Sequence, residues 1–201
     1  VCITPASHSD SIEKISFEIL SQLPKKFTLI GLSMGGILAM EIIKKVPERV
    51  MKIVLMDTNF KSETSEIKSK RIPQINLVNE GKLEAVMKKQ ILQNYLIKNK
   101  KNQQILELCL KMANDLGKEI FINQSKALTT RQNYKETLKN INVPSLIICG
   151  RYDRLCPIDV HREMESLIQN STLEIIPDAA HLPTLEQPLY LNKILNKWLL
   201  Q

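Results

Sequence analysis

The stretch Phe27-Thr28-Leu29-Ile30-Gly31-Leu32-Ser33-Met34-Gly35-Gly36-Ile37-Leu38-Ala39-Met40 changes its periodicity at a single residue. Residues 27–30 are apolar and largely β-branched or aromatic, as a buried strand requires, whereas Ile37, Leu38, Met40 and Glu41 onward keep helical spacing. The chain must therefore reverse between Gly31 and Gly35 with no room for a loop, and Ser33 stands at the apex. Glycine at 31 and at 35 is expected to remove β-carbons that so tight a turn would press together, leaving the serine hydroxyl exposed on a strained backbone. The pattern is Gly-x-Ser-x-Gly.

A serine hydroxyl is a weak nucleophile until a base takes its proton, so the turn carries chemistry only with a histidine and an acid further along. Cys149-Gly150-Arg151-Tyr152-Asp153-Arg154-Leu155-Cys156-Pro157 leaves an apolar strand and puts Asp153 in the exit turn. Asp178-Ala179-Ala180-His181-Leu182-Pro183 leaves another and puts His181 in its loop. Serine, aspartate and histidine in that order, each just past a strand end, resemble the α/β-hydrolase superfamily, and the resemblance covers nearly the whole chain. The wording Gly31-Leu32-Ser33-Met34-Gly35-Gly36 is most similar to the group holding small bacterial carboxylesterases and pimeloyl-carrier-protein methyl ester esterases.

The resemblance implies an α/β fold, a mostly parallel sheet flanked by helices with a helical lid inserted. It implies Ser33 as nucleophile, His181 as base, Asp153 as the partner of the histidine, and the N–H of Met34 as one oxyanion donor. The reaction so implied is cleavage of a carboxylic ester of small or medium acyl chain through an acyl-enzyme. A carbon–carbon bond hydrolase of the ring-cleavage type uses the same three residues and stays open. So does a ligand-binding protein that keeps the fold without catalysis, although binding alone does not call for these three residues together. Asp57, in the strand exit Asp57-Thr58-Asn59, is the rival acid, and the Gly150-Arg151-Tyr152-Asp153 context favours Asp153. Leu32, Arg131 and Leu182 are the candidate substrate neighbours.

With 201 residues and an apolar fraction of 43%, the chain fits one domain carrying an insertion. No apolar run approaches the roughly 20 residues that span a bilayer. The cysteines Cys2, Cys109, Cys149 and Cys156 have neither Cys-x-x-Cys spacing nor histidine neighbours suited to zinc, and Cys149 reads as strand packing. They read as reduced thiols of a cytoplasmic protein. No phosphate-binding glycine loop occurs, and neither a metal nor a cofactor is expected.

Residues 1–4 read as a core strand. In the resembling family two or three strands precede this point, and a His-Gly type loop among them supplies the second oxyanion donor, so those strands and that donor are expected upstream and missing here. Ser7 to Ser11 cap a helix along Ile12, Ile15, Ile19, Leu20 and Leu23 that Pro24 ends, with His8 an exposed loop residue. The helix after Ser33 runs to about Val46, followed by a strand over 50–56. Residues 1–60 and 141–201 form the hydrolase core, and 61–140 the lid. The lid has one amphipathic face along Leu83, Val86, Met87, Gln90, Ile91, Tyr95 and Leu96, another along Ile105, Leu106, Leu108, Cys109 and Met112, and breaks at Gly81 and Gly117. Most lid leucines and methionines are expected to pack on the core. A strand over 145–149, a helix over 158–169, a strand over 173–176 and a helix over 185–200 complete the chain, with His161 read as a solvated surface residue.

Residues 61–140 hold 16 Lys and Arg against 8 Asp and Glu, a net of +8, whereas the rest of the chain holds 12 against 13, a net of −1. One reading is an anionic partner such as an acidic acyl carrier protein; the other is that lysines solvate the outer faces of the lid helices. Nucleic acid is not expected, because the basic stretch has no interleaved aromatics and no recognition motif. Arg131, in Leu128-Thr129-Thr130-Arg131-Gln132-Asn133, lies where lid returns to core. It either binds a substrate carboxylate or sits in solvent.

Overall fold

The computed structural model describes residues 8–97 and 102–201. The strand expected over residues 1–4 and Cys2 lie outside the described residues. Helix α1, Ile12–Leu20, starts on Ser11, whose hydroxyl accepts the N–H of Lys14 at 3.2 Å. Strand β1, Phe27–Leu32, runs straight into helix α2, Met34–Lys45, and the turn Pro47–Arg49 returns the chain to strand β2, Val50–Met56. The insertion contains α3, Ser65–Asn79, α4, Leu83–Val86, irregular helical turns to Asn94, and α5, Asn102–Thr130. No strand occurs there among the described residues, and Gly81 and Gly117 have φ of 81° and 82°, which break the helices where the spacing predicts. After α6, Lys135–Lys139, come strand β3, Ser145–Gly150, helix α7, Ile158–Leu167, strand β4, Ser171–Ile176, and helices α8, Pro183–Glu186, and α9, Pro188–Leu199. The single helix expected over 185–200 is thus two pieces, because Pro188 has no N–H to carry the ladder and Gln187 leaves helical geometry at φ −138° and ψ 53°.

The four strands are parallel in the order β1-β2-β3-β4, with Leu29 opposite Ile53, Val54 opposite Leu146 and Ile148 opposite Glu174. All six residues of β3 are buried. At the edge of the described sheet β1 is not the fully buried strand expected, and Ile30 is 50% exposed. On one face Ile53, Leu55 and Ile147 pack with Ile37 and Met40 of α2, Ile12 and Ile15 of α1 and Met164 of α7. On the other Val54, Met56, Leu146 and Ile148 pack with Leu191 of α9. A third cluster, Val78, Leu83, Val86 and Ile122, lies within the insertion, whereas Ala127, Tyr134 and Leu138 from its last part join the main core.

Of the second lid face expected along Ile105, Leu106, Leu108, Cys109 and Met112, Leu108 and Met112 are 43% and 52% exposed, and Leu116 beside them 48%. The kink at Gly117 turns α5, and apart from Asn102 its buried residues all lie beyond that kink. No helix among the described residues is long and apolar enough to cross a membrane. Because the strands are parallel, their carboxyl ends share one edge of the sheet, and the turns that leave it bring together Ser33, Asp57, Asp153 and His181.

Candidate active site

Ser33 is held at φ 52° and ψ −114°, a backbone region that costs a side-chain-bearing residue on the order of 1–3 kcal/mol. Neighbours impose it. The Ser33 N–H donates to the carbonyl of Met56 at 2.9 Å, and the Thr58 hydroxyl donates to the carbonyl of Ser33 at 2.7 Å. A β-carbon on Gly31 would overlap the carbonyl oxygen of Gly35, and one on Gly36 would come within 2.6 Å of the Thr58 side chain. Around Gly35 a β-carbon would meet nothing within 4 Å. The crowding expected at 31 and 35 therefore falls on 31 and 36; Gly35 contributes the backbone that presses on Gly31.

The Ser33 hydroxyl donates to His181 Nε2 at 2.9 Å, and His181 Nδ1–H donates to Asp153 Oδ2 at 2.8 Å. The other oxygen of Asp153 accepts the N–H groups of Leu155 at 2.8 Å and Cys156 at 3.1 Å. Burial works to raise the Asp153 pKa, but the hydrogen bonds and charge of His181, with those two N–H groups, outweigh it and hold the carboxyl below its ordinary value. Asp57 has the opposite environment. It is fully buried at φ 42°, its Oδ1 accepts the Gly150 N–H at 2.8 Å, and no hydrogen bond joins it to His181. Burial, reinforced by the charge of Asp153 and opposed by the Gly150 N–H, raises its pKa far above the carboxylate range, which makes it a neutral acid at pH 7. Of the two acids the sequence offers, the histidine faces Asp153.

Residues with no motif hold this arrangement. The His181 N–H donates to the carbonyl of Tyr95 at 2.9 Å, and the Tyr95 ring stands edge-on to the imidazole with centroids 4.8 Å apart. Glu186 accepts the N–H groups on either side of the histidine, Ala180 at 2.8 Å and Leu182 at 3.2 Å, and that of Ile97 at 3.1 Å. A β-carbon on Gly150 would overlap the carbonyl oxygen of Ala180, so the end of β3 meets the histidine loop backbone to backbone. Thr58 and Tyr95 act through backbone contacts that leave no pattern in a sequence. Glu186 lies four residues past Leu182 with no capping-box pattern before it, so its role was not legible either.

His161 is not the surface residue its neighbours Arg162 and Glu163 suggest. It is fully buried, Nε2 accepts the Thr58 N–H at 3.2 Å, and Nδ1–H donates to the Pro157 carbonyl at 3.1 Å. With Met164 it forms the inner face of α7, and burial lowers its pKa, so it stays neutral and steadies the loop that holds Ser33. His8 is exposed, as expected, and Cys149 is buried in β3. Cys109, Cys149 and Cys156 carry free thiols.

A cavity of about 300 Å³ opens at Ser33 and His181, with Thr58, Tyr95, Arg71 and Arg131 in its wall. Arg131 thus turns toward the site. Leu32 does not border this cavity and packs against the cluster under α9; Leu182 borders a second, more apolar cavity of about 200 Å³ that has Tyr95 in its wall too. Met34 is the first residue of α2, so its N–H has no acceptor one turn back. Asp153, Cys156 and His181 offer metal-ligand atoms within 4.8 Å of one another. Asp153 and His181 are bonded to each other, however, and burial raises the Cys156 thiol well above its ordinary pKa, which disfavours the thiolate a metal takes.

The family model described as the alpha/beta hydrolase fold matches residues 5–188. A protein of Wigglesworthia glossinidia brevipalpis named pimeloyl-[acyl-carrier protein] methyl ester esterase is 28% identical over 202 residues, covering 92% of this chain and 74% of that one. Two solved structures share the fold: a thermophilic esterase from Thermogutta terrifontis with malate bound, and the enol-lactonase from Burkholderia xenovorans LB400. The first has a TM-score of 0.86 at 23% identity, covering 99% of this chain and 74% of that one. The second has a TM-score of 0.81 at 19% identity, covering 98% and 76%. The chain belongs to the alpha/beta hydrolase fold family.

Proposed function

We propose that this protein hydrolyses carboxylic esters by a serine mechanism, with Ser33 as nucleophile, His181 as general base and then acid, and Asp153 as the residue that fixes the imidazole. The observation that carries the reading is the continuous hydrogen-bond chain from the Ser33 hydroxyl through His181 to Asp153. Ser33 Oγ attacks the ester carbonyl carbon as its proton passes to His181 Nε2; the imidazolium so formed is stabilised by Asp153 and gives the proton to the departing alcohol. Water, deprotonated by the same nitrogen, then releases the acid and restores the hydroxyl. The free N–H of Met34 is one donor to the oxyanion. The ester reading is preferred to carbon–carbon cleavage because relatives carry esterase names.

An acyl carrier protein as the bearer of the ester is a second reading. It rests on the lid's net charge of +8, and on relatives whose names specify a carrier-linked methyl ester. The test of the reaction is Ser33→Ala. This small apex residue contributes little packing, so the variant keeps its thermal transition within a few degrees and loses ester turnover altogether. Retained turnover would move the nucleophile elsewhere.

A further inference from the structure

The wall of the cavity at Ser33 carries more positive charge than its own acids answer. Lys70, Arg71 and Arg131 line it, with Glu63. Glu63, itself buried, is taken by Arg71: one oxygen accepts Arg71 Nε at 2.9 Å and the other accepts its Nη2, a two-point pair that uses the fork of the guanidinium. Lys70 is paired with Glu66 at 2.6 Å on the open side. Arg131 has neither. Its Nε is buried without a hydrogen-bond partner, and its side chain forms no salt bridge among the described residues. Burial pulls the Arg131 pKa below its ordinary value and Glu63 only partly opposes this. A guanidinium cannot shed its proton at neutral pH, so an unanswered charge of this kind stays costly until an anion reaches it.

We propose that Arg131 is the seat of a carboxylate on the substrate, so that the preferred ester is the half-ester of a dicarboxylic acid. The proposal rests on the serine-ester reading above and narrows it to acyl groups whose far end is ionised. A planar fork of N–H donors matches a carboxylate at two points, which a neutral acyl chain of equal length does not use. Glu63 sharpens the choice: by holding Arg71, it leaves Arg131 the unpaired guanidinium of the wall and keeps a second anion from being held as well.

The test compares the mono-p-nitrophenyl ester of glutaric acid with p-nitrophenyl valerate, which has the same chain length without the charge, together with calorimetric binding of free glutarate to Ser33→Ala. The wild-type protein is expected to prefer the half-ester by about 10- to 100-fold in kcat/KM, mainly through KM, the range a charged hydrogen-bond pair supports. Arg131→Gln removes that preference by lowering kcat/KM for the half-ester at least tenfold more than for valerate, and Arg131→Lys restores part of it. Equal turnover of the two esters by the wild-type protein, or an equal loss on both in Arg131→Gln, overturns the subsite; the wild-type comparison stands even if the variant folds poorly. Glutarate binding to Ser33→Ala that weakens at least tenfold in the Ser33→Ala, Arg131→Gln double variant supports the subsite whether or not esters turn over. Binding without turnover of either ester by the wild-type protein would retire the ester reading alone, and turnover without charge preference the carboxylate seat alone.

Discussion

Asp57 and Asp153 both leave β-strands toward the same histidine loop, and their hydrogen bonds give them different work. Asp153 is ionised and bonded to His181; Asp57 is kept neutral by burial and bonded to the Gly150 N–H. Replacing Asp153 by Asn leaves the shape but offers the imidazole an amide in place of a carboxylate, and is expected to lower kcat by roughly 10⁴ by analogy with other serine hydrolases. Asp57→Asn resembles the neutral acid already there and should cost less than about tenfold. Steady-state turnover of one chromogenic ester by both variants checks the ranking, and the reverse order would give the acid's role to Asp57. The three residues of this chain of bonds were legible because each follows a strand end in a motif. His161 was not, because its sequence neighbours are charged and the side of α7 that is buried depends on what Thr58 presents to it.

Among the elements, it is the ends of the parallel strands that build the site, and two glycines separate crowding from appearance. At Gly150 a β-carbon would collide with the carbonyl of Ala180, beside His181, so Gly150→Ala must displace either β3 or the histidine loop. A loss of about 1–3 kcal/mol by denaturant unfolding is expected, the usual range for overpacking, with a fall in turnover as His181 leaves Ser33. Gly35→Ala meets open space within α2 and should match or exceed wild-type stability by up to about 1 kcal/mol, since alanine is the better helix former. If Gly150→Ala is the harmless one, the contact between β3 and the histidine loop is not what holds the site. The alternation of strand and helix, and the helical character of the insertion, were readable from periodicity. The exposure of Leu108 and Met112 was not, since an amphipathic pattern marks an apolar face without saying whether anything covers it.

Over the whole molecule the charge is divided unevenly, with +8 in residues 61–140 against −1 elsewhere. If that charge draws an acidic carrier, turnover of a carrier-bound ester should fall steeply between low and high salt, because exposed charges are screened over roughly 8 Å at physiological ionic strength. A small neutral ester should be unaffected, and matching salt profiles would leave the lysines as solvation alone. The sequence could show where this charge lies along the chain but not which part of it faces the cavity, and Arg131 was separable from the outer lysines only once Glu63 was seen to hold Arg71. The serine mechanism depends on one group, the Ser33 hydroxyl bonded to His181. Folded protein treated with a fluorophosphonate and mapped by peptide mass spectrometry should carry the phosphonyl group on Ser33, with labelling lost in Ser33→Ala and strongly slowed in His181→Ala; folded protein that takes no label, or takes it at another residue, would contradict the serine mechanism.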